Sequence, residues 1–75
     1  MNEELFQQTL REFLHRDPFS PFVVELTTGR RVEVDEPTVA FAGGAAVYFS
    51  PTFDLLDFRC DDVKEIRLAA QETAP

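Results

Sequence analysis

Apolar side chains follow a helical period near the start of the chain. Four of them share the i, i+4, i+7 and i+8 spacing that places side chains on one face of a helix: Phe6, Leu10, Phe13 and Leu14. Asn2, just before this segment, is a residue type that caps helix N-termini. Pro18 stops a helix because it lacks a backbone N–H group. The pattern therefore predicts a helix over residues 3–16.

From residue 22 onward the apolar positions change to a period of two, which is typical of strands. The residues expected to face inward along the first hairpin are Phe22, Val24, Leu26, Val32 and Val34. A tight turn at Thr28-Gly29 joins the two strands of this hairpin. Further short strands are predicted up to residue 68, with Val47 and Phe49 facing inward and Tyr48 on the opposite face.

The order of these elements predicts an α+β fold in a single domain that covers residues 1–75. No segment after residue 16 has room for a crossover helix, so we expect antiparallel strands. We expect the helix to cap a small, strongly bent β-barrel over residues 21–68, followed by a flexible tail over residues 69–75. Pro37 either bends one long strand or separates two, which gives five or six strands.

The composition indicates one modest core. A chain of 75 residues with 44% hydrophobic residues and eight Phe has the apolar side chains for a core, but domains this short have thin stability. The single Cys60 cannot form an internal disulfide, so association of copies is the remaining way to stabilise so small a core. We therefore expect a homo-oligomer, with a candidate seam along residues 45–49 and 55–58.

The formal net charge of −7 restricts the partners. A negative surface repels phosphate backbones, so RNA is a disfavoured partner, although a local basic spot remains compatible with this charge. No apolar run approaches the ~18 residues of a membrane span, so we expect no membrane partner. An unpaired cysteine is typical of a reducing compartment, which makes the cytoplasm the expected location.

The residues give little support for catalysis. The lone His15 lies at the predicted helix end, and Cys60 has acidic neighbours, which disfavour a reactive thiolate. No serine lies beside a suitable base. We therefore expect no catalytic residues, no metal site and no cofactor.

Residues 16–37 carry the pattern Arg-x-Pro-Phe-x-Pro-Phe-x-Val-x-Leu-x-x-Gly-Arg-x-x-x-Val-x-x-Pro. This pattern resembles that of a group of short uncharacterised bacterial proteins. The resemblance implies a helix, a Pro-Phe elbow and a Gly-Arg hairpin, and it supplies no activity.

Two segments are similar to the motifs of Sm-like proteins, which include a bacterial RNA-chaperone branch. Residues 24–32, Val-x-Leu-x-x-Gly-Arg-x-Val, resemble the first motif, and residues 58–66, Phe-Arg-Cys-Asp-Asp-Val-x-x-Ile, resemble the second. The resemblance implies a helix on a small Sm-like or SH3-like barrel, whose free strand edges pair between neighbours in a ring. The loop at Gly43-Gly44 lacks the Asn that Sm-like proteins direct at bases.

Candidate binding residues come from the arginines and the aromatic rings. The resemblance makes Arg59 a candidate for nucleotide contact, and Arg30 and Arg31 could add a basic spot at the hairpin tip. Surface arginines beside acidic residues more commonly form ion pairs, which is the alternative role for all three. The candidate oligomer or partner interface consists of Tyr48, Phe49, Phe53 and Leu55.

Three functions follow from these observations. The expected function is a non-catalytic interaction module that self-associates, in a protein-binding or scaffold role. The first alternative is an Sm-like RNA-binding protein, whose affinity would fall as salt rises. The second alternative is an acidic inhibitor that mimics nucleic acid. Its candidate residues are Glu33, Asp35, Glu36, Asp54, Asp57, Asp61 and Asp62.

Overall fold

The computed structural model of the protein describes residues 1–72. One α-helix precedes six strands, in the order α1 (Glu3–Leu14), β1 (Phe22–Leu26), β2 (Arg31–Val34), β3 (Val39–Ala42), β4 (Ala45–Phe49), β5 (Leu55–Arg59) and β6 (Val63–Leu68). Short 3₁₀ segments follow β5 at Cys60–Asp62 and β6 at Ala69–Glu72.

The predicted helix is confirmed, and it ends two residues earlier than expected. The Asn2 side chain accepts a hydrogen bond of 2.7 Å from the backbone N–H of Leu5, which satisfies a donor that the first turn leaves free. Phe6 and Leu10 are fully buried. Helix α1 therefore packs its predicted apolar face onto the strands.

Strands β2, β1 and β6 form an antiparallel sheet in that order, which we call sheet A. In its register, Val24 lies between Val32 on β2 and Ile66 on β6. Gly29 has a φ of +93°, a left-handed conformation that glycine adopts at little cost, and the N–H of Leu26 donates to the carbonyl of Arg30 to close the turn. The inward residues predicted for this hairpin are all buried.

Strands β3, β4 and β5 form a second antiparallel sheet in that order, which we call sheet B. In its register, Ala46 of β4 lies between Phe41 on β3 and Phe58 on β5. Gly43 makes the reversal between β3 and β4 with a φ of +60°. Sheet B is therefore built from two consecutive hairpins.

The expected barrel is wrong, because the described residues form two separate three-stranded sheets with no closed barrel. Pro37 lacks the N–H group that a continuous ladder needs, and it lies between β2 in sheet A and β3 in sheet B. Cys60–Asp62 form a 3₁₀ turn between β5 and β6, so the chain leaves sheet B before it enters sheet A. The fold is a small α+β arrangement in which Pro37 separates two strands.

The core lies between α1 and the inner faces of the two sheets. Its buried members include residues from the helix, both sheets and the 3₁₀ turn: Phe6, Leu10, Phe22, Val24, Val34, Ala46, Tyr48, Phe58, Cys60 and Val63. The predicted face of β4 is reversed, since Ala46 and Tyr48 point inward whereas Val47 and Phe49 are exposed. The hydroxyl oxygen of Tyr48 accepts a hydrogen bond from the N–H of Asp35, which gives the buried phenol a polar partner.

The junction between the sheets is tightly packed around Cys60. Its N–H donates to the carbonyl of Gly44 over 2.7 Å, and a Cβ atom on Gly44 would lie 2.8 Å from the Cys60 sulfur. The amino group of Met1 donates to the carbonyls of Cys60 and Val63, each at 3.2 Å. Glycine at residue 44 therefore permits a backbone approach that a larger residue would block.

The first part of the segment predicted as a flexible tail has a defined backbone structure. Ala69–Glu72 form a 3₁₀ segment, and the N–H of Ala69 donates to the carbonyl of Pro21 over 3.0 Å. The rest of the predicted tail, residues 73–75, lies outside the described residues.

Candidate functional site

The outer face of sheet B is mostly apolar and faces away from the core. Because side chains alternate along a strand, this face takes one set of residues from each of its three strands. They are Ala40, Ala42, Ala45, Val47, Phe49, Leu55, Asp57 and Arg59. A sheet face that water covers is normally polar, so this face departs from the usual pattern.

Large exposed hydrophobic side chains concentrate on this side of the molecule. Among the described residues, Val47, Phe49 and Leu55 lie on the face with 37%, 46% and 65% of their surface exposed. Phe53, in the loop that joins β4 to β5, is 81% exposed, and its ring packs edge-on against Phe49 with centroids 6.1 Å apart. The remaining large exposed hydrophobic residue, Leu5, lies on helix α1.

The loop over residues 50–54 holds Phe53 outward. The backbone N–H of Phe53 donates to the carbonyl of Ser50. The backbone N–H of Ser50 donates to the carbonyl of Asp54, and the N–H of Asp54 donates to the hydroxyl oxygen of Ser50. Phe53 has a φ of +66°, a left-handed conformation that costs a residue with a side chain roughly 1–2 kcal/mol. The loop therefore keeps a strained backbone conformation at a residue whose apolar ring is exposed to water. Such strain is common at functional positions.

A shallow groove lies along the hairpin of β3 and β4. It has a volume of about 280 Å³ and is lined by Ala40, Phe41, Ala42, Ala45, Ala46 and Val47. Four of these six residues are alanines, so the floor of the groove is low and apolar beside the larger side chains of the same sheet. The groove can accept an apolar group, and it offers no side-chain hydrogen-bonding group.

The two charged residues of the outer face have opposite signs. Asp57 and Arg59 are both exposed on β5, two positions apart, and within residues 1–72 neither forms an ion pair. The ion pairs of sheet A are different, because Arg67 contacts Glu25 at 2.8 Å and Glu65 at 3.2 Å. The hydrogen bond from Arg67 lowers the pKa of Glu25 below 4.5.

The predicted interface residues divide between the surface and the core. Phe49, Phe53 and Leu55 are exposed together at one end of the outer face, whereas Tyr48 is 1% exposed and belongs to the core. Sequence reasoning missed Ala40, and it placed Val47 within the candidate seam but on the inward face. The signal for Ala40 was the alternation of alanine with larger residues along β3, which lines a groove once the face of β4 is assigned correctly.

The candidate nucleic-acid residues lie on different sheets. Arg30 and Arg31 are exposed at the hairpin of sheet A, whereas Arg59 is exposed on the outer face of sheet B. Glu25 is the strand partner of Arg31, and Ala45 is that of Arg59. Arg59 therefore shares no strand and no hairpin with Arg30 and Arg31.

The acidic residues proposed to mimic nucleic acid are all exposed and spread over several elements. Glu33 lies on β2 of sheet A, Asp57 on β5 of sheet B, and Asp54 in the loop that holds Phe53. Asp61 and Asp62 belong to the 3₁₀ turn between the sheets. These carboxylates therefore come from both sheets and the segments between them.

Within residues 1–72, no group of three or more His, Cys, Asp and Glu side chains is arranged to hold a metal ion. None of the helices in that range is both long enough and apolar enough to cross a membrane. No protein-family model matches the sequence, and neither a curated protein nor a solved structure matches it significantly. The outer face of sheet B is therefore the feature of these residues that indicates a function.

Proposed function

We propose that the protein is a non-catalytic interaction module that self-associates through the outer face of sheet B, in a protein-binding or scaffold role. The observation that carries this proposal is the concentration of Val47, Phe49, Phe53 and Leu55 on one side of the molecule. The largest contiguous apolar patch on a protein surface, on the order of a few hundred Å², is often a contact site. Burying these side chains against a second surface would remove their contact with water.

A second copy of the chain fits this face because the face is complementary to itself. A two-fold interface brings the same patch of both subunits together, so each charge must find its opposite within the patch. Asp57 and Arg59 meet this condition, since they carry opposite charges on one strand. The unpaired charges of one copy can therefore pair with those of the other.

The size of the face supports a reversible contact. Three strands about 4.8 Å apart and about 17 Å long offer a few hundred Å² per copy, which is less than the roughly 800 Å² per partner of a standard interface. Contacts of this size are typical of transient pairs. The lone Cys60 is consistent with the cytoplasm as the place where such a module acts.

Sedimentation velocity over a range from about 5 µM to about 500 µM tests the proposal. We expect the wild type to change from monomer to dimer over this range and Leu55→Lys to remain monomeric. Leu5→Lys is the matched control, because it makes the same chemical change at an exposed leucine on helix α1. A wild type that is monomeric throughout would overturn the proposal, as would equal behaviour of the two lysine variants.

The two alternatives use other residues. RNA binding would depend on Arg59, Arg30 and Arg31, and nucleic-acid mimicry would depend on the acidic residues that both sheets and their connections carry. An electrophoretic shift of a labelled single-stranded RNA that Arg59→Ala abolishes would favour the first. Capture of a nucleic-acid-binding protein that competes with DNA would favour the second.

A further inference from the structure

Provided that the outer face of sheet B is the contact surface, we propose that the contact is a reciprocal insertion. The ring of Phe53 from each copy enters the groove along the β3–β4 hairpin of its partner. The dimer then contains two identical ring-and-groove contacts, which a two-fold axis relates.

The groove has the size and chemistry that a phenyl ring needs. An apolar cavity of about 150 Å³ is large enough to bind benzene, and the groove has a volume of about 280 Å³. Its lining is made largely of alanine methyl groups and the side chain of Val47. The ring of Phe53 is the most exposed large hydrophobic side chain among the described residues, so it has the most to gain from burial.

The ring and the groove lie at opposite ends of the same face. Phe53 follows the end of β4 and packs on Phe49, whereas the groove extends to Ala42 and Ala45, where β4 begins. Consider a two-fold axis that lies between the two faces, runs perpendicular to the strands and passes over the middle of β4. Rotation about this axis places the opposite ends of the strands over one another. This rotation carries each Phe53 toward the groove of the other copy.

The same rotation brings the Asp57 carboxylates of the two copies near each other, so each of them needs a guanidinium beside it. Asp57 is opposite Val47 in the register and therefore lies near the axis, while Arg59 is two residues, or about 6.6 Å, further along β5. A guanidinium on its long side chain can span that offset to Asp57 of the partner subunit. Each copy would then supply one arginine and one carboxylate at the contact.

The conformation of the loop favours insertion. Because hydrogen bonds to Ser50 hold residues 53 and 54, the ring of Phe53 is already outward before association. A group that is ordered in advance loses less conformational freedom on binding. The positive φ of Phe53 is thus explained as the cost of holding the ring ready.

A mixing experiment tests the insertion. Phe53→Ala removes the ring and leaves the groove open, and Ala42→Leu fills the groove and leaves the ring. We expect each variant alone to weaken the dimer about tenfold or more, because neither homodimer has a ring that meets an open groove. An equimolar mixture restores one such contact, so sedimentation should show a heterodimer tighter than either homodimer.

The outcomes separate the insertion from the proposed function. Recovery in the mixture supports insertion, and it also shows that both variants are folded. If Leu55→Lys abolishes a wild-type dimer and the mixture shows no recovery, the face is the contact surface and the insertion is wrong. If Phe53→Ala leaves the dimer unchanged, the insertion is likewise wrong. A wild type that never dimerises overturns both proposals.

Discussion

The hydroxyl oxygen of Tyr48 lies 3.1 Å from the backbone nitrogen of Asp35 and joins the middle of sheet B to the end of β2 in sheet A. This contact crosses the segment in which Pro37 interrupts the strands. Since Tyr48 belongs to β4 of sheet B, the hydrogen bond links the two sheets across the break. Tyr48 is therefore a structural residue of the core.

Replacing Tyr48 by Phe removes this hydrogen bond and keeps the ring. We expect the free energy of unfolding to fall by about 1 kcal/mol, because the N–H of Asp35 loses a part-buried acceptor. Urea unfolding followed by circular dichroism measures the change, and the dimer should be unaffected at equal folded concentration. An unchanged unfolding midpoint would contradict a stabilising role for the hydrogen bond.

Phe53→Gly should separate stability from association. Glycine adopts a positive φ at little cost, so we expect the variant to be more stable than the wild type by about 0.5–1 kcal/mol. The same variant should lose self-association, because the ring is gone. Phe53→Ala is the control, since alanine retains the backbone strain. Thermal unfolding and sedimentation test the pair, and a less stable glycine variant would argue against stored strain.

Gly44→Ala should destabilise the junction between the sheets. The added methyl group would lie 2.8 Å from the Cys60 sulfur, and overpacking of this kind costs about 1–3 kcal/mol. Removing the sulfur makes room, so we expect Gly44→Ala to cost less in a Cys60→Ala background. Urea unfolding of the four proteins in this cycle measures the coupling. Additive effects would show that the clash is relieved elsewhere.

The ion pair between Glu25 and Arg67 makes the free energy of unfolding depend on pH in the acidic range. Because the native pKa of Glu25 lies below its ordinary value of 4.5, its ionised form contributes stability that is complete above about pH 4.5 and is lost as the pH falls through the native pKa. The stability difference between the wild type and Glu25→Gln should therefore shrink between about pH 6 and about pH 3. Urea unfolding at both values provides the test. A difference that is the same at both pH values would contradict this linkage.

Salt should strengthen self-association. Two copies that each carry a charge of −7 repel one another across a molecule 23 Å wide. Raising salt from about 50 mM to about 500 mM should relieve roughly 1–2 kcal/mol of this repulsion, which is about tenfold in Kd. Over the same change in salt, the exposed ion pairs between Asp57 and Arg59 lose less binding free energy than the relief of this repulsion supplies. RNA binding would weaken over the same range, so sedimentation at the two salt concentrations distinguishes the functions.

The positions of the strands could be predicted from the sequence because alternation is a local property. Residues 31–34 alternate cleanly, and the structure places their inward residues in the core. Residues 22–26 place theirs in the core as well, although Val23 on the opposite face is also buried. The face of β4 could not be predicted by hydrophobicity, since Val47 and Phe49 are more apolar than Ala46 and Tyr48. The choice depends on the N–H of Asp35, which directly follows β2 of sheet A and provides the partner that lets a phenol be buried.

The division into two sheets, and the surface that this division creates, could not be predicted from the sequence either. A proline in a strand pattern is compatible with a bend or a break, and only the pairing of β2 with β1 and of β3 with β4 decides between them. The apolar cluster of Phe49, Phe53 and Leu55 was visible as a candidate interface. The positive φ of Phe53 was not, because no local propensity predicts a left-handed phenylalanine.

Sheet A pairs the first strand of the fold with the last, whereas sheet B is made of consecutive hairpins. Pairing β1 with β6 closes a long loop, and this lowers the chain entropy before the contacts between the strands can form. We therefore expect sheet B to form early and sheet A late. During synthesis, β1 has no partner on that side until residues 63–68 leave the ribosome. Until then a nascent chain carries an open strand edge and a core that lacks Val63 and Ile66, and such exposed features make nascent chains prone to aggregation.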